Sequence, residues 1–405
     1  MGPTRLLLVL LVPTTLTFAA GCGTSSTSAT VSDEAGIDGG GIADDAGTDG
    51  GCGFVLRPMV TLETAVNEST ATLVLDATGA PHLLVSGGGS LAHVTMEGGT
   101  PKSESVVTSS TASDLFGQPM TASFDANGVL HVAFLLGKNA MHAWRTTTWN
   151  QEVIAADVGT APVFLALDSR GHAHAVYLGK LGTAVYANDV SGAWSSIALP
   201  RMACGSGQCV NGIAVGPDDV PHVSMVRGTV DATTLLVGVP SLADGGVSDG
   251  GAFAFDEVAS STPAEKSTPT ELDTGSTLAV DGRGAHVLFS RGFGGGGVHY
   301  GTNVGGTWKT SVVAESRAKS IGRVAVDPSG GVHVVYTAES VPTYAKKVGD
   351  AFVATRISSD VGQAYSVVLD AAGTPHVGYR RNHPGGTSTS RKADFGEAVP
   401  DPACK

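Results

Sequence analysis

The sequence is poor in charge. Asp, Glu, Lys and Arg make up only 15% of its 405 residues, and 24 basic residues stand against 37 acidic ones for a formal net charge of −13. Such a chain offers no cationic footprint to a polyanion, so nucleic acid is excluded as a partner. No long stretch of 3.6-residue apolar periodicity is present, so no long amphipathic helix is expected. The main apolar run, Leu6 to Val12, is too short for a membrane span and is broken by Pro13. Nucleophile elbows, Walker loops, His-Glu-x-x-His and dinucleotide glycine patterns are missing. The glycines of Gly292 to Gly297 make a flexible loop and not a phosphate cradle. What the chain does have is glycine, 56 residues, about twice ordinary usage, which suits short strands joined by tight turns.

The N-terminus reads as an address. Arg5 precedes the apolar run and small residues follow it, which is the layout of a secretory signal. Phe18-Ala-Ala-Gly-Cys22 resembles the lipobox of bacterial lipoproteins, with Ala19 where that family usually has Leu. The resemblance implies cleavage after Gly21, lipidation of Cys22 and a membrane partner through that anchor. Gly23 after the cysteine implies the outer membrane by the sorting pattern of such lipoproteins. The alternative is an ordinary signal peptide cut near Ala20, with Cys22 a plain thiol. Residues 22–52 are Ser/Thr-rich and then Asp/Gly/Ala-rich, too poor in large apolar side chains to offset ordering, and are expected to be a flexible tether. Residues 53–405 are expected to form one folded unit.

That unit is repetitive. Asp-x-x-Gly-x-x-His, flanked by alternating apolar residues, recurs with Asp76 and His82, Asp125 and His131, Asp168 and His174, Asp327 and His333, and Asp370 and His376. Asp281 and His286 form a copy one residue short, and His222 closes a copy that begins at Gly216 and lacks the usual Asp and Gly. The starts at 76, 125, 168, 216, 281, 327 and 370 lie 49, 43, 48, 65, 46 and 43 residues apart, the period of four-stranded propeller blades. Locally, Asp hydrogen-bonds the backbone ahead of it and Gly takes positive φ, so each copy predicts a β-hairpin. Trp149, Trp194, Phe253, Trp308 and Phe352 open a fourth strand in their units, and Tyr186, Tyr300 and Tyr344 mark a third. The expectation is an all-β, seven-bladed β-propeller of four-stranded antiparallel blades. Phe54 and Phe395 both look like the fourth-strand mark of the last blade, so either terminus can supply the closing strand.

Apart from Cys22 there are four cysteines, an even number that in an exported protein reads as disulfides. Of three possible pairings the ring selects Cys204–Cys209, bracketing a Gly/Ser loop, and Cys52–Cys404, joining the ends. The seven repeat histidines cannot converge on one metal ion, because blades pack about 10 Å apart and zinc holds nitrogens at about 2.1 Å. They are expected to bond the turn or the neighbouring blade, so no metal, cofactor or catalytic residue is assigned. His93, His142 and His299 fall on third strands and His172 in a turn, without a visible ligand partner.

Residues 70 to 380 resemble the NHL-type and sialidase-like (BNR) propellers of secreted bacterial proteins. Only Gly306-Thr-Trp308 matches the tail of a sialidase Asp-box, and no arginine triad can be assigned. The resemblance implies the fold and transfers no catalytic residue. The leading expectation is a non-enzymatic cell-envelope lipoprotein that binds a glycan or a protein, with the 204–209 loop and the 241–276 region as its most irregular parts. Alternatives are a glycan-active hydrolase or lyase and a purely structural surface protein.

Overall fold

The computed structural model describes residues 53–402 except 65–69, 88, 110–119, 181, 200–209, 230–231, 242–252, 261–271, 292–296, 316–317, 361 and 383–390. Cys22, Cys52, Cys204, Cys209 and Cys404 lie outside the described residues, as does most of the 241–276 region.

Each repeat folds for the reason its turn dictates. Asp76 N–H donates to the Ala80 carbonyl at 3.1 Å and Gly79 N–H to the Asp76 carbonyl at 3.0 Å, with Gly79 at φ 83. The Asp76 carboxylate accepts Thr78 N–H at 2.8 Å and Ala80 N–H at 2.9 Å, which pins the turn from outside. The irregular copy at Gly216 keeps the geometry by exchange. Asp219 takes the glycine's place at φ 61, a conformation Asp tolerates, and its carboxylate caps Ser169 N–H of the preceding blade at 2.7 Å.

These hairpins extend into seven separate four-stranded antiparallel sheets. Blades 1 to 6 span 70–108, 121–155, 164–198, 210–260, 272–314 and 318–356, each with its strands in sequence order from the inside outward. The innermost strands touch one another in a closed ring in which the first also meets the last, so the sheets stand as blades of a seven-bladed β-propeller.

Blade 7 settles how the ring closes. Its inner strands are Gly362–Leu369 and Pro375–Asn382, its third is Arg391–Pro400, and its outermost is Phe54–Thr64. The two ends pair in antiparallel register from Phe54 opposite Pro400 to Thr64 opposite Arg391. Both termini therefore contribute, with Phe395 on the third strand and Phe54 on the fourth.

The core is divided among the blade junctions. Seven apolar clusters each combine residues from two neighbouring blades, as where Leu84 and Leu91 of blade 1 meet Val132 and Phe134 of blade 2. The aromatic marks belong to these seams. Trp149 packs edge-on against His93 of blade 1, Trp194 against His142 of blade 2, Phe253 against Tyr186 of blade 3, Phe352 against Tyr300 of blade 5 and Phe54 against Tyr344 of blade 6. Trp308 joins the blade 4 cluster that holds Val237. Hydroxyl groups stitch the innermost strands together. Thr121 accepts Leu165 N–H, Ser366 accepts Leu73 N–H at 3.0 Å, and Thr72 donates to the Met120 carbonyl at 2.9 Å.

Candidate functional site

Each motif histidine opens the second strand of its blade, beside the turn carboxylate and diagonally across from one position of the third strand. Strand register places His93, His142, Tyr186, Val237, Tyr300, Tyr344 and Glu397 at that position in blades 1 to 7. Where it is tyrosine, the hydroxyl lies 2.6 Å from His174 Nδ1, 2.6 Å from His286 Nδ1 and 2.7 Å from His333 Nδ1. The opposite ring nitrogen, Nε2, faces Asp168 at 3.9 Å, Asp281 at 3.4 Å and Asp327 at 3.3 Å. In blade 6 His333 Nε2 is hydrogen-bonded to Asp327 and the tyrosine donates to Nδ1, so a neutral histidine satisfies both contacts, whereas His174 Nε2 and His286 Nε2 face their carboxylates without a hydrogen bond. His376 of blade 7 lies between two carboxylates, Asp370 at 3.6 Å and Glu397, the latter also paired with Arg57 at 3.3 Å. His222 of blade 4, whose third-strand partner position is Val237, has its pKa pushed down by burial.

Blade 1 differs. His82 Nδ1 lies 2.8 Å from His93 Nε2, and His93 Nδ1 lies 2.7 Å from Glu104 Oε1 on the fourth strand. Arg145, from the end of the third strand of blade 2, closes on the same carboxylate. Burial pushes the Glu104 carboxyl up, but hydrogen bonds from His93 and Arg145 and the guanidinium charge outweigh it and hold the group below its ordinary range. Burial lowers His82 and His93, only partly offset by Asp76 and Glu104, so both rings are neutral at pH 7.

These states fix the protons. The ionised Glu104 takes His93 Nδ1–H, His93 Nε2 is then an acceptor, and His82 must donate from Nδ1. His82 Nε2 is left bare, 3.5 Å from Asp76 Oδ2. Burial pushes Asp76 up too, but hydrogen bonds from the Thr78 hydroxyl and from the Ala80 and Thr78 N–H groups hold it below its usual range. Two acceptors thus stand side by side with no proton between them.

They line a cavity of about 450 Å³ at the junction of blades 1 and 2, with Glu97, Lys102, Glu104 and Arg145 opposite. Lys102 is paired with Glu97. Blade 2 repeats the relay, with His131 Nδ1 3.0 Å from His142 Nε2 and His142 Nδ1 2.9 Å from Glu152. There the indole N–H of Trp194 takes the place of the arginine, donating to Glu152 at 2.8 Å, and His131 Nε2 is buried without a partner. His82 Nε2 is not shut away in this manner, and its side chain is 18% exposed.

The structure therefore brings together Asp76 and His82, singled out in the repeat, with His93, Glu104 and Arg145, to which the sequence assigned no role. Their signal was present: the third-strand position carries His in blades 1 and 2 and Tyr in three others. Among the described residues no group of three His, Cys, Asp or Glu side chains could hold a metal ion.

No protein-family model matches the sequence, and no curated protein sequence matches it. Similar solved structures exist. A triple Arg-to-Ala variant of AofleA from Arthrobotrys oligospora has a TM-score of 0.50 at 13% identity, over 77% of this chain and 92% of that one. The Aleuria aurantia lectin AAL, solved as an Asn-to-Gln variant with Fucα1-6GlcNAc, has a TM-score of 0.48 at 9% identity, over 75% of this chain and 98% of that one. A further structure of that fungal lectin, described as six-bladed, has a TM-score of 0.46 at 10% identity, over 74% and 98%. At these identities the likeness shows the fold alone.

Proposed function

We propose that the chain is a glycan-binding propeller whose ligand, a neutral polyhydroxylated sugar, sits in the cavity between blades 1 and 2. The carrying observation is the acceptor pair of His82 Nε2 and Asp76 Oδ2, 3.5 Å apart and short of one proton. A sugar hydroxyl supplies that proton as a hydrogen-bond donor, while Lys102 and Arg145 across the cavity offer donors to its ring or neighbouring oxygens. The cations are already paired with Glu97 and Glu104, which suits a neutral ligand better than an anionic one.

Binding fits this cavity better than hydrolysis. A glycosidase needs one carboxylic acid that keeps its proton near neutral pH. Asp76 and Glu104 are both held below the ordinary carboxylate range, so neither stores a proton there.

In the same reading the propeller works in a bacterial cell envelope, attached through lipid at Cys22 and held off the membrane by residues 23–51. The lipobox-like Phe18 to Cys22 and the composition of the segment after it support this address.

The test is a glycan array with the full chain, repeated with Asp76→Asn and Arg145→Met. Loss of a hydrogen bond to a charged group costs about 1.5–3 kcal/mol, so each variant is expected to weaken a binding sugar roughly ten- to a hundredfold. Silence of the wild type on the array, or equal binding by wild type and variants, contradicts the reading.

A further inference from the structure

A second feature lies on the propeller axis, away from the blade 1 cavity. Four residues before the turn aspartate, the innermost strands carry small hydroxyl residues: Thr72, Thr121, Thr277 and Ser366 in blades 1, 2, 5 and 7. Blade 6 has Arg323 at that place. Its strand, Ala318–Val326, slips register between Ile321 and Val324, so Arg323 sits in a bulge. The bulge is held by Gly322, where a Cβ would come within 2.9 Å of the Val335 carbonyl and 3.1 Å of the Ala364 carbonyl. Only glycine lets the backbone pass so close to both neighbouring strands.

Arg323 Nη2 donates to the Met120 carbonyl at 3.3 Å. Arg323 belongs to blade 6 and Met120 leads into the inner strand of blade 2, so the side chain reaches across the ring. Met120 O also accepts from Thr72 at 2.9 Å. A carbonyl orients a guanidinium but does not neutralise it, and among the described residues Arg323 makes no ion pair. Burial in the middle of the ring lowers its pKa to about 10, with no carboxylate opposing the fall. The residue is nevertheless only partly covered. Thr277, at the same level of the adjacent blade, is 8% exposed and its hydroxyl is without a partner. The hydroxyls of Thr121 and Ser366 at this level stitch to the next inner strand; that of Thr277 makes no such bond.

A partly covered cation in the middle of the ring, with spare donors and no carboxylate partner among the described residues, is an arrangement that proteins complete with an anion. We propose that the axial channel holds a small oxyanion, bound by the guanidinium fork of Arg323. The fork matches the spacing of oxygens in a carboxylate, phosphate or sulfate group. A free inorganic ion and the carboxylate of an acidic sugar share this chemistry.

Calorimetric titration of the full chain with phosphate, sulfate and glucuronate, at constant ionic strength set by chloride, tests the proposal. The wild type is expected to bind at least one of them saturably, and Arg323→Met to lose that binding. Arg283→Met, in a turn arginine already paired with Asp281, is expected to keep it. Saturation by phosphate or sulfate alone identifies a free ion, and saturation by glucuronate identifies an acidic sugar. Should Arg323→Met fail to fold, NMR of the wild-type guanidinium groups replaces it. One slowly exchanging arginine Nε–H must then shift as the anion is added. Absence of saturable binding for all three anions overturns the proposal, as does undiminished binding by Arg323→Met or the absence of any such shift.

Discussion

At the scale of single residues, the chemistry of this propeller turns on which nitrogen of a repeated histidine carries the proton. Tyrosine at the third-strand position meets the histidine Nδ1 in blades 3, 5 and 6 and turns Nε2 toward the turn aspartate, with the hydrogen bond completed in blade 6. Histidine there, backed by Glu104 or Glu152, reverses the relay and leaves it one proton short. For His82, His93, His131, His174, His222, His286 and His333 the neutral form is the one the fold prefers, and His131 shows this most, lowered from 6.5 to about 4 by burial first and by neighbouring His142 second. The unfolded chain therefore takes up protons first as pH falls below about 6.5. Stability contributed by these groups is complete above that pH and is lost as pH falls toward 4. For His131 the shift corresponds to about 3 kcal/mol, taken as an order of magnitude. Urea denaturation at a series of pH values is expected to show stability falling through this window. His131→Leu should have a shallower fall, by about one proton. A curve that is flat or rises on acidification contradicts the assignment.

At the scale of elements, the blades are joined by two kinds of seam: apolar clusters between sheet faces, and hydroxyl stitches between innermost strands. Ser366 illustrates the second. It accepts the N–H of Leu73, a residue with no solvent exposure, so Ser366→Ala leaves a buried donor unpaired. The expected loss is about 1–3 kcal/mol, read as a lower urea midpoint at unchanged slope. Within the apolar seams, Leu84→Ala in the blade 1–2 cluster should cost about 2–5 kcal/mol by the same measurement. The hairpins of each blade were legible in the sequence because Asp-x-x-Gly fixes a turn within a few residues. The partner of each motif histidine was harder to see. His93 and Tyr186 occupy one structural position, but they follow their motif histidines by different intervals, 11 and 12 residues, because the turns between them differ in length. Arg145 reaches Glu104 from a different blade, 41 residues away, a contact that no local pattern encodes. Arg323 stood in the open at a position where other blades carry hydroxyls, but only the strand bulge turns it toward the axis.

At the scale of the whole molecule, the repeat number and the closed ring were readable from spacing alone. Closure by both ends was not, because Phe54 and Phe395 carry the same mark and only pairing distinguishes a third strand from a fourth. This closure makes the N-terminal strand part of the fold's integrity. Removal of residues 54–64 strips the outer strand from blade 7 together with Phe54, which packs on Tyr344 of blade 6, and is expected to lower the thermal midpoint. Asp401 N–H donates to the Gly53 carbonyl at 2.9 Å, so the paired ends lead directly toward Cys52 and Cys404 in the sequence. Peptide mapping without reductant is expected to recover these two cysteines as one linked peptide, a bond that the chain-entropy model rates at up to about 5 kcal/mol. Incorporation of labelled fatty acid by the wild type and not by Cys22→Ala tests the lipid anchor.

The central claim is that blade 1 presents a bare acceptor to its cavity because its histidine relay runs opposite to that of the tyrosine blades. NMR of the imidazole nitrogens at neutral pH tests it directly. The account predicts the proton of His82 on Nδ1 with Nε2 bare, and the protons of His174, His286 and His333 on Nε2. If His82 instead carries its proton on Nε2 like the other three, the acceptor pair with Asp76 does not exist and the proposed sugar site loses its basis.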